Sequence, residues 1–283
     1  MTQPAAAALF VVSTPIGNMG DFSFRAVEVL KSVTLVLAED TRHTRHLLDH
    51  YGIATPMASY HEHNEAKTTP RLVSRLLSGE SIALVSDAGT PLVSDPGARL
   101  VRAAIDAGVS VVPVPGPSAA LAALVASGLD VDRFLFLGFV PRAGRDRRAV
   151  FDEISASRHT VVVYESPNRL ADTLAELERL GAGLRPAAVA REMTKQFEDI
   201  RRGTVTDLLA YYGERPVRGE VVLVIGGAAG PVATEEDVAA RVRSLRDSGL
   251  SARDASAQVA AELGVSKRVA YRLARGSGGE HGE

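Results

Sequence analysis

The sequence contains no cysteine and no tryptophan, and no window approaches eighteen uncharged apolar residues in a row. The lack of cysteine excludes disulfides, thiolate metal sites and cysteine nucleophiles. The lack of a long apolar run predicts that no helix spans a membrane. The first eight residues also lack the basic and apolar stretches of a secretory signal, so we expect a cytoplasmic protein.

Motifs for binding phosphate are also absent. The chain has neither a GxGxxG turn nor a GK[ST] loop, which argues against a dinucleotide or nucleoside triphosphate site. The net charge of −2 argues against a generally basic nucleic-acid binder. Basic residues are nevertheless concentrated in two places, the stretches 142–148 and 241–275, and this predicts local contacts with a polyanion.

Short β-branched runs alternate with segments of helical period, which is typical of βαβ units and parallel sheets. We therefore predict an α/β protein with two α/β domains, at residues 1–117 and 118–227. The first should contain a parallel sheet and the second a mixed sheet. Strands are predicted at 9–13, 35–38, 82–85 and 109–114 in the first domain, and at 134–139, 160–164, 187–191 and 220–225 in the second.

A glycine-rich linker at 228–234 should lead into a small helical domain at 235–283. Three helices are predicted there, about 235–247, 252–263 and 267–274, with Ser251 and Ser266 as N-caps and Gly264 as a C-cap. The last two have the pattern of a helix-turn-helix.

Ligands of parallel α/β sheets gather at the carboxyl ends of the strands, and two loops there are distinctive. The segment Ser86–Gly97 has two carboxylates, two prolines and two glycines, and Pro113–Ala119 forms a second rigid turn that opens a helix. A loop with one carboxylate and accessible amides suits ribose hydroxyls or an amino acid group better than phosphate. A helix is predicted at 98–107 after the first loop, with Asp95-Pro96 as its expected start.

The chain carries seven motifs in a fixed order: TPIGN, AEDTR, SDAGTPLVSDPG, PGPSA, YESPNR, REMTK and GE. This set resembles the tetrapyrrole-methylase-like superfamily of S-adenosylmethionine methyltransferases, and within it the 16S ribosomal RNA cytidine 2′-O-methyltransferases. The resemblance implies a cofactor cleft between two α/β domains, a homodimer, and methylation of a ribose in the decoding region of the small subunit.

The resemblance also implies which residues bind S-adenosylmethionine. They come from the two strand-end loops and from one strand of the second domain: Asp87, Ala88, Gly89, Leu92, Pro117, Ser118, Ala119 and Tyr164. A sulfonium with an amino acid and an adenosine suits backbone amides, one acid and an apolar or aromatic wall.

A base that removes the ribose proton would help methyl transfer, although the donor is already activated and alignment supplies much of the acceleration. The candidates are acids, histidines and one lysine near strand ends: Glu39, Asp40, His43, His61, His63, Glu192 and Lys195. Lysine would need a lowered pKa for this role. Glu39 and Asp40 could equally cap the next helix. The spacing of His43, His46 and His50 imitates a metal site, but we predict no metal, because supporting acids are missing.

Arginines and lysines in three regions are candidate contacts to 16S ribosomal RNA or the small subunit: Arg142, Arg145, Arg147, Arg148, Arg169, Lys267, Arg268 and Arg272. Two other functions remain open from the residues. One is a precorrin or uroporphyrinogen methylase on the same fold, and the other is a nucleic-acid-binding regulator with a ligand-sensing α/β body. Catalytic turnover distinguishes the regulator from both enzymes.

Overall fold

The computed structural model describes residues 7–228, 234–263 and 265–276, with side chains to Ala274. The chain divides into two compact units, Met1–Gly226 and Gly227–Glu283. Both predicted sheets lie within the first unit, and the boundary predicted at residues 117 and 118 stays a prediction. The predicted C-cap Gly264 and most of the predicted linker fall outside the described residues. Among those described, no helix combines the length and apolar character that crossing a membrane requires.

The first sheet is parallel throughout, in the order β3-β2-β4-β1-β5. Its strands are β1 (Ala8–Val12), β2 (Leu35–Ala38), β3 (Met57–Ser59), β4 (Ile82–Val85) and β5 (Ser110–Val114). The inner strands β2 and β4 are buried on both faces, which explains their continuous apolar sequences. Strand β3 was not predicted, because it has only three residues at a sheet edge and forms no apolar run.

Helices α1 (Phe24–Ser32), α2 (Thr41–His50), α3 (Glu65–Leu77) and α4 (Ala98–Asp106) connect these strands. Ser23 caps α1 and Asp40 caps α2, each by accepting a backbone N–H in the first turn. The predicted range 98–107 agrees with α4, but Asp95-Pro96 does not start it: the helix begins at Ala98, after Gly97, whose φ of 132° no other residue adopts easily. Asp95 therefore belongs to the loop.

The second sheet is mixed, in the order β6-β7-β10-β8-β9. Only β6 (Phe134–Phe139) and β7 (Thr160–Glu165) pair in parallel, and β8 (Pro186–Arg191), β9 (Asp199–Thr204) and β10 (Val221–Ile225) complete it antiparallel. This arrangement confirms the predicted fold class. β9 reads DIRRGT and was missed, because a charged edge strand carries no hydrophobic period.

The helices packed on this sheet are α5 (Ala119–Ser127), α6 (Gly144–Ala156), α7 (Leu170–Leu177) and α8 (Val205–Tyr212). Helix α5 packs on one face through Ala120, Ala123 and Leu124. Phe151 of α6 and Leu174 of α7 lie in the core of the other face. The sheet is thus covered on both sides, and the carboxyl end of β7 is left beside the start of α5.

The second unit contains α9 (Glu235–Asp247), α10 (Ala252–Leu263) and α11 (Lys267–Gly276), close to the predicted bounds. Valines and alanines of the three helices form its core: Val238, Val242, Ala255, Val259, Ala270 and Ala274. The two predicted N-caps are confirmed, since Ser251 Oγ accepts from Asp254 N at 3.1 Å and Ser266 Oγ from Val269 N at 3.3 Å.

Candidate active site

Three loops that leave β1, β4 and β5 are hydrogen-bonded to one another. Thr14 and Gly89 exchange two backbone hydrogen bonds, with N–H to O=C distances of 2.8 and 3.1 Å. The Thr90 hydroxyl donates to Pro117 O at 3.2 Å and accepts from Ser13 Oγ at 3.1 Å. Sequence-distant loops therefore form one rigid edge along the carboxyl ends of the sheet.

Glycine is required where these loops approach most closely. A Cβ at Gly116 would lie 2.9 Å from the Ser13 Cβ. A Cβ at Gly97 would lie 2.6 Å from Leu84 Cδ2, on a backbone whose φ is also positive. Side chains at these positions would push the loops apart, so the glycines set the width of the edge.

A cavity of about 430 Å³ lies where this edge faces the second sheet. Its size is typical of sites for small molecules. The lining residues come from the strand-end loops of the first sheet, the start of α5, and the ends of β6, β7 and β10: Ile16, Glu39, Asp87, Ala88, Gly89, Thr90, Val93, Ser94, Asp95, Ser118, Ala119, Phe139, Tyr164, Glu165, Ser166, Pro167, Gly219, Glu220, Val221 and Val222.

The cavity is acidic. Among the described residues that line it, none is a lysine, arginine or histidine. Burial, followed by the negative charges of Glu39 and Asp87, raises the pKa of Asp95 to about 6. Burial and the charge of Asp87 also raise the pKa of Glu39. Such a cavity disfavours phosphate and favours a ligand that carries positive charge.

One wall is aromatic. Tyr164 meets the rings of Phe136 and Phe139 edge-on, at centroid distances of 5.0 and 5.2 Å. Burial raises the pKa of the Tyr164 phenol, so it stays neutral. Tyr164 and Phe139 line the cavity, and their π-faces attract cations.

Six of the eight predicted cofactor-binding residues line this cavity: Asp87, Ala88, Gly89, Ser118, Ala119 and Tyr164. Leu92 instead packs on the core beside β4, and Pro117 contributes its carbonyl to the Thr90 hydroxyl. Asp95, Phe139 and Glu220 were missed. For Asp95 the sequence offered a signal, since it is the second carboxylate of the same loop.

The neighbouring acids Glu39 and Asp40 separate into two roles. Glu39 lines the cavity. The Asp40 carboxylate accepts the N–H of Arg42 at 2.8 Å and pairs with the Arg42 guanidinium at 2.8 Å, and these contacts lower its pKa. Asp40 also donates its backbone N–H to Asp87 Oδ1 at 3.1 Å. Its side chain thus caps α2, whereas its backbone orients Asp87.

Glu192 and Lys195 brace one rim of the cavity. Lys195 Nζ lies 2.9 Å from Glu192 Oε1 and 3.1 Å from Glu220 Oε2. Glu192 Oε1 also accepts the N–H of Glu220 at 3.0 Å. Burial opposes the charge on Lys195, but the hydrogen bonds to the two glutamates outweigh it and raise its pKa. That direction is opposite to what a lysine base needs.

The side chain of Lys195 also lies directly over Gly17, where a Cβ would come within 2.4 Å of Lys195 Cγ. The loop after β1 and the loop before β10 are therefore clamped by one residue. This contact gives the REMTK and GE motifs a structural role at the rim of the cavity.

The arginines near α6 differ in their exposure. Arg142, Arg145 and Arg148 are exposed. Arg147 instead donates to Pro141 O at 3.1 Å and stacks over the Phe151 ring at 4.8 Å. Three guanidinium groups therefore face solvent, and the fourth is held against the protein.

The guanidinium of Arg169 binds groups within the protein. It pairs at 2.6 Å with the fully buried carboxylate of Glu165 and donates to Val140 O at 3.0 Å. Glu165 also accepts from Ser166 N and Thr173 Oγ1, both at 2.6 Å. A buried carboxylate needs such a partner, which gives Arg169 a structural role.

In the second unit, Lys267 and Arg268 are exposed at the start of α11. Arg272 forms an ion pair with Glu235 of α9. The exposed Tyr271 lies on the same helix. Lys267 and Arg268 thus offer free positive charge, and Arg272 offers less.

The candidate histidines lie on α2 and in the loop after β3. His43, His46 and His50 are exposed along α2, and the rings of His61 and His63 meet edge-on at 5.9 Å. Among the described residues, no group of three or more histidine, aspartate or glutamate side chains is arranged to hold a metal ion.

The family model of the tetrapyrrole (corrin/porphyrin) methylases matches residues 8–209. A ribosomal RNA small subunit methyltransferase I from Synechocystis is 45% identical over 268 residues, covering 94% of this chain and 96% of its own. The enzyme of that name from Xylella fastidiosa is 46% identical, over 93% and 97% of the two chains. This chain belongs to the ribosomal RNA small subunit methyltransferase I family. The predicted family is confirmed.

Solved structures agree on the fold. A uroporphyrin-III C-methyl transferase from Thermus thermophilus, complexed with S-adenosyl homocysteine, is similar with a TM-score of 0.55 and 21% identity. It matches 77% of this chain and 97% of its own. The methyltransferase CobJ is similar with a TM-score of 0.60 and 18% identity, over 79% and 95% of the chains. At these identities the likeness concerns the fold, whereas the family rests on the sequence relatives.

Proposed function

We propose that this protein transfers a methyl group from S-adenosylmethionine to the 2′-hydroxyl of a cytidine in the decoding region of 16S ribosomal RNA. The observation that carries the proposal is the acidic, partly aromatic cavity formed by the family motifs at the strand ends. Relatives more than 40% identical over nearly the whole chain are named ribosomal RNA small subunit methyltransferase I. That the chain is a methyltransferase of this family, as predicted, is confirmed by the same relatives.

S-adenosylmethionine is the methyl donor in this family, and the residues present fit it. Its sulfonium and amine are cationic, which suits carboxylates and ring faces and makes a lysine or arginine in the wall unfavourable. Asp87, the backbone N–H of Ala88, and the capped start of α5 at Ser118 would hold its polar groups. Tyr164 and Ile16 would contact its apolar parts.

The cofactor supplies an activated methyl group, so this chain has to align the acceptor hydroxyl, exclude water and accept one proton. The hydrogen-bonded loops after β1, β4 and β5 provide alignment, because they cannot move independently. The clamp made by Lys195 keeps the rim at Gly219 and Glu220 closed against Gly17. Both features restrict the ligand to one position.

Contact with the RNA is assigned to exposed cations. Arg142, Arg145 and Arg148 in the first unit, and Lys267 and Arg268 in the second, have charge available for phosphates. The guanidinium groups of Arg147, Arg169 and Arg272 bind other groups of the protein, so we propose that they contribute less to RNA binding. We further propose a homodimer that acts in the cytoplasm, as the family resemblance implies. Sedimentation would test the oligomeric state.

The test is transfer of a labelled methyl group from S-adenosylmethionine to small ribosomal subunits and to the naked RNA, with the modified nucleotide mapped by mass spectrometry. We expect one methylated ribose. Failure to form S-adenosylhomocysteine with either substrate would contradict the enzyme, and would favour a ligand-sensing regulator. If uroporphyrinogen or a precorrin is methylated instead, the protein is still a methyltransferase of this fold, but the proposed ribosomal RNA acceptor is wrong.

A further inference from the structure

Four arginines gather at the end of the second sheet where β8 ends and β10 begins: Arg191, Arg201, Arg215 and Arg218. We name them the arginine cluster. Arg191 and Arg201 lie on the same face of the neighbouring strands β8 and β9. Within the described part of the chain, none of the four forms an ion pair, even though Asp199 lies opposite Arg191 across the strands. Their positive charges are therefore not neutralised by a carboxylate contact.

A tyrosine ring and two carbonyl oxygens hold the cluster in place. The guanidinium carbons of Arg201 and Arg215 lie 3.5 and 4.1 Å from the centroid of the Tyr211 ring. Arg215 also donates to Tyr211 O at 2.8 Å, and Arg191 donates to Arg218 O at 3.3 Å. These contacts orient the guanidinium groups but leave their charge available, since neither a ring face nor a carbonyl carries a full negative charge.

Two buried polar atoms beside the cluster have no hydrogen-bond partner among the described residues. They are Nε of Arg201 and the hydroxyl of Tyr212, whose residue is only 4% exposed. Burial raises the pKa of the Tyr212 phenol, the charge of Asp199 adds to this rise, and Arg201 and Arg191 oppose it. Unpaired buried donors are costly. Together with unpaired guanidinium groups, they are typical of a site that binds an anionic oxygen.

The arginine cluster adjoins the rim of the acidic cavity. Arg218 is followed in the chain by Gly219 and Glu220, which both line that cavity. Arg191 lies opposite Val221, another lining residue, where β8 pairs with β10. Positive charge is thus placed directly outside a cavity whose own wall is acidic.

We propose that the arginine cluster binds phosphate groups of the acceptor RNA strand beside the nucleotide that is methylated. This inference rests on the proposed function. The acidic wall attracts the cationic cofactor and repels phosphate, whereas the cluster does the opposite. The acceptor ribose enters the cavity while its neighbouring phosphates stay at the rim. Because phosphate contacts fix the register of a nucleic acid, the four arginines are positioning residues.

The cluster differs from the exposed arginines near α6. Arg142, Arg145 and Arg148 are exposed to solvent, which suits attraction of RNA over a distance. In the cluster, Arg201 is half-buried and stacked, so its fork of donors is oriented before the ligand arrives. An oriented guanidinium matches the oxygens of a phosphate better than a mobile one. The α6 surface therefore attracts the RNA and the cluster aligns it.

The first test replaces Arg215 and Arg218 together with glutamine. Both are exposed, and glutamine removes the charge but keeps a polar side chain. Filter binding of the ribosomal RNA should show a dissociation constant higher by about tenfold, as expected for loss of a hydrogen bond to a charged group. The slope of log K against log salt should become shallower by roughly 0.7 for each phosphate no longer neutralised. Calorimetry should show unweakened binding of S-adenosylmethionine, and thus a folded variant.

Arg71→Gln with Arg158→Gln is the matched control, because it removes the same charge from exposed positions elsewhere in the first unit. It should leave the salt slope nearly unchanged. An equal effect of the two pairs would show that net charge alone attracts the RNA, and would overturn the inference. An unchanged slope for the Arg215 and Arg218 pair would overturn it as well.

The second test asks whether RNA lies beside the cluster. Since the chain contains no cysteine, Glu214→Cys introduces a single thiol next to Arg215 at an exposed position. An iron–EDTA group attached there releases hydroxyl radicals that cleave nearby RNA. We expect cleavage of the RNA in small subunits beside the methylated ribose. Its absence would overturn the inference, and so would labelling of a ribosomal protein in place of RNA.

Asp106→Cys is the control for this cleavage. Asp106 is exposed at the end of α4, which returns the chain to the start of β5, away from the carboxyl ends of the strands. Iron–EDTA at this position should not cleave beside the methylated ribose. A wild-type protein that methylates no ribosomal RNA would overturn the proposed function and this inference with it. Normal methylation with RNA binding unaffected by Arg215→Gln and Arg218→Gln overturns the inference alone.

Discussion

The acidic cavity and the exposed arginines around the start of α6 differ in how firmly their side chains are held. In the cavity, carboxylates are partly buried, loops are hydrogen-bonded to one another, and glycines occur where a side chain would not fit. Just before α6 and in its first two turns, Arg142, Arg145 and Arg148 are exposed to solvent. One region fixes its side chains and the other leaves them in water.

The difference follows from the two ligands. A small cationic cofactor must be held in one position, so its site depends on preorganised contacts in a medium of low dielectric. A polyanion is attracted over a distance by charge that salt screens. We therefore expect changes in the cavity to alter cofactor affinity or rate, and changes on the surface to alter RNA affinity and its salt dependence.

The largest effect is expected from Asp87→Ala. Its carboxylate lines the cavity and is oriented by the Asp40 N–H. Loss of a hydrogen bond to a charged group corresponds to an increase of about 10- to 100-fold in the dissociation constant of S-adenosylmethionine. Titration calorimetry would measure this, and an unchanged affinity would remove Asp87 from the site.

Asp40→Ala is the matched control for this prediction. It removes the neighbouring carboxylate but leaves the backbone N–H that orients Asp87. Loss of the cap should lower the free energy of unfolding, because the first turn of α2 loses its side-chain acceptor. The affinity for the cofactor should stay close to that of the wild type.

Gly97→Ala tests how tightly the cavity loop is built. The new methyl group would have a strained φ and would lie 2.6 Å from Leu84 Cδ2. We expect the free energy of unfolding to fall by roughly 2–4 kcal/mol, from backbone strain together with overpacking. Urea denaturation would measure it.

Gly108→Ala provides the comparison, because its φ is 75° and nothing lies within 4 Å of the added Cβ. Only the strain of the positive φ remains, and it should lower the free energy of unfolding by about 1 kcal/mol. Equal losses at the two positions would show that the loop before α4 yields easily, contrary to the rigid edge described above.

The smallest effect on the cavity is expected from replacing Arg142, Arg145 and Arg148 with alanine together. S-adenosylmethionine should bind as before, while affinity for the ribosomal RNA falls. The slope of log K against log salt should become shallower by roughly 0.7 to 0.9 for each phosphate that the variant no longer neutralises. Filter binding at several salt concentrations would measure the slope.

A triple alanine variant of exposed arginines elsewhere in the first unit, Arg71, Arg102 and Arg158, controls for charge alone. It should leave the slope nearly unchanged. An equal effect of both triple variants would mean that net charge, and not the α6 surface, attracts RNA. Lys267→Ala with Arg268→Ala would measure the share of the second unit in the same way.

Much of the fold follows from local pattern. The runs at β2 and β4 are apolar throughout because both faces are covered, and their predicted bounds are those of the structure. The two strands that were missed lie at sheet edges, where little burial is required: β3 is short and β9 is charged. Hydrophobic period reports burial, so it cannot report a strand that is barely buried.

For the site, the motifs predicted which loops form the cavity but not the role of each side chain. Lys195 and Arg169 looked like chemical or RNA-binding groups, yet both are held by glutamates. Asp95 looked like the start of a helix and lies instead in the cavity wall. Partners distant in sequence decide these roles, and no local pattern contains them.

The sequence by itself determined the alternation of strands and helices, the absence of thiol chemistry, and the family. The family could be assigned because the order of the motifs along the chain can be read without knowing any tertiary contact. Tertiary structure alone decided which carboxylates share a cavity. Charge, burial and hydrogen bonds depend on what lies within a few ångströms, and that neighbourhood is assembled from loops after β2, β4 and β7.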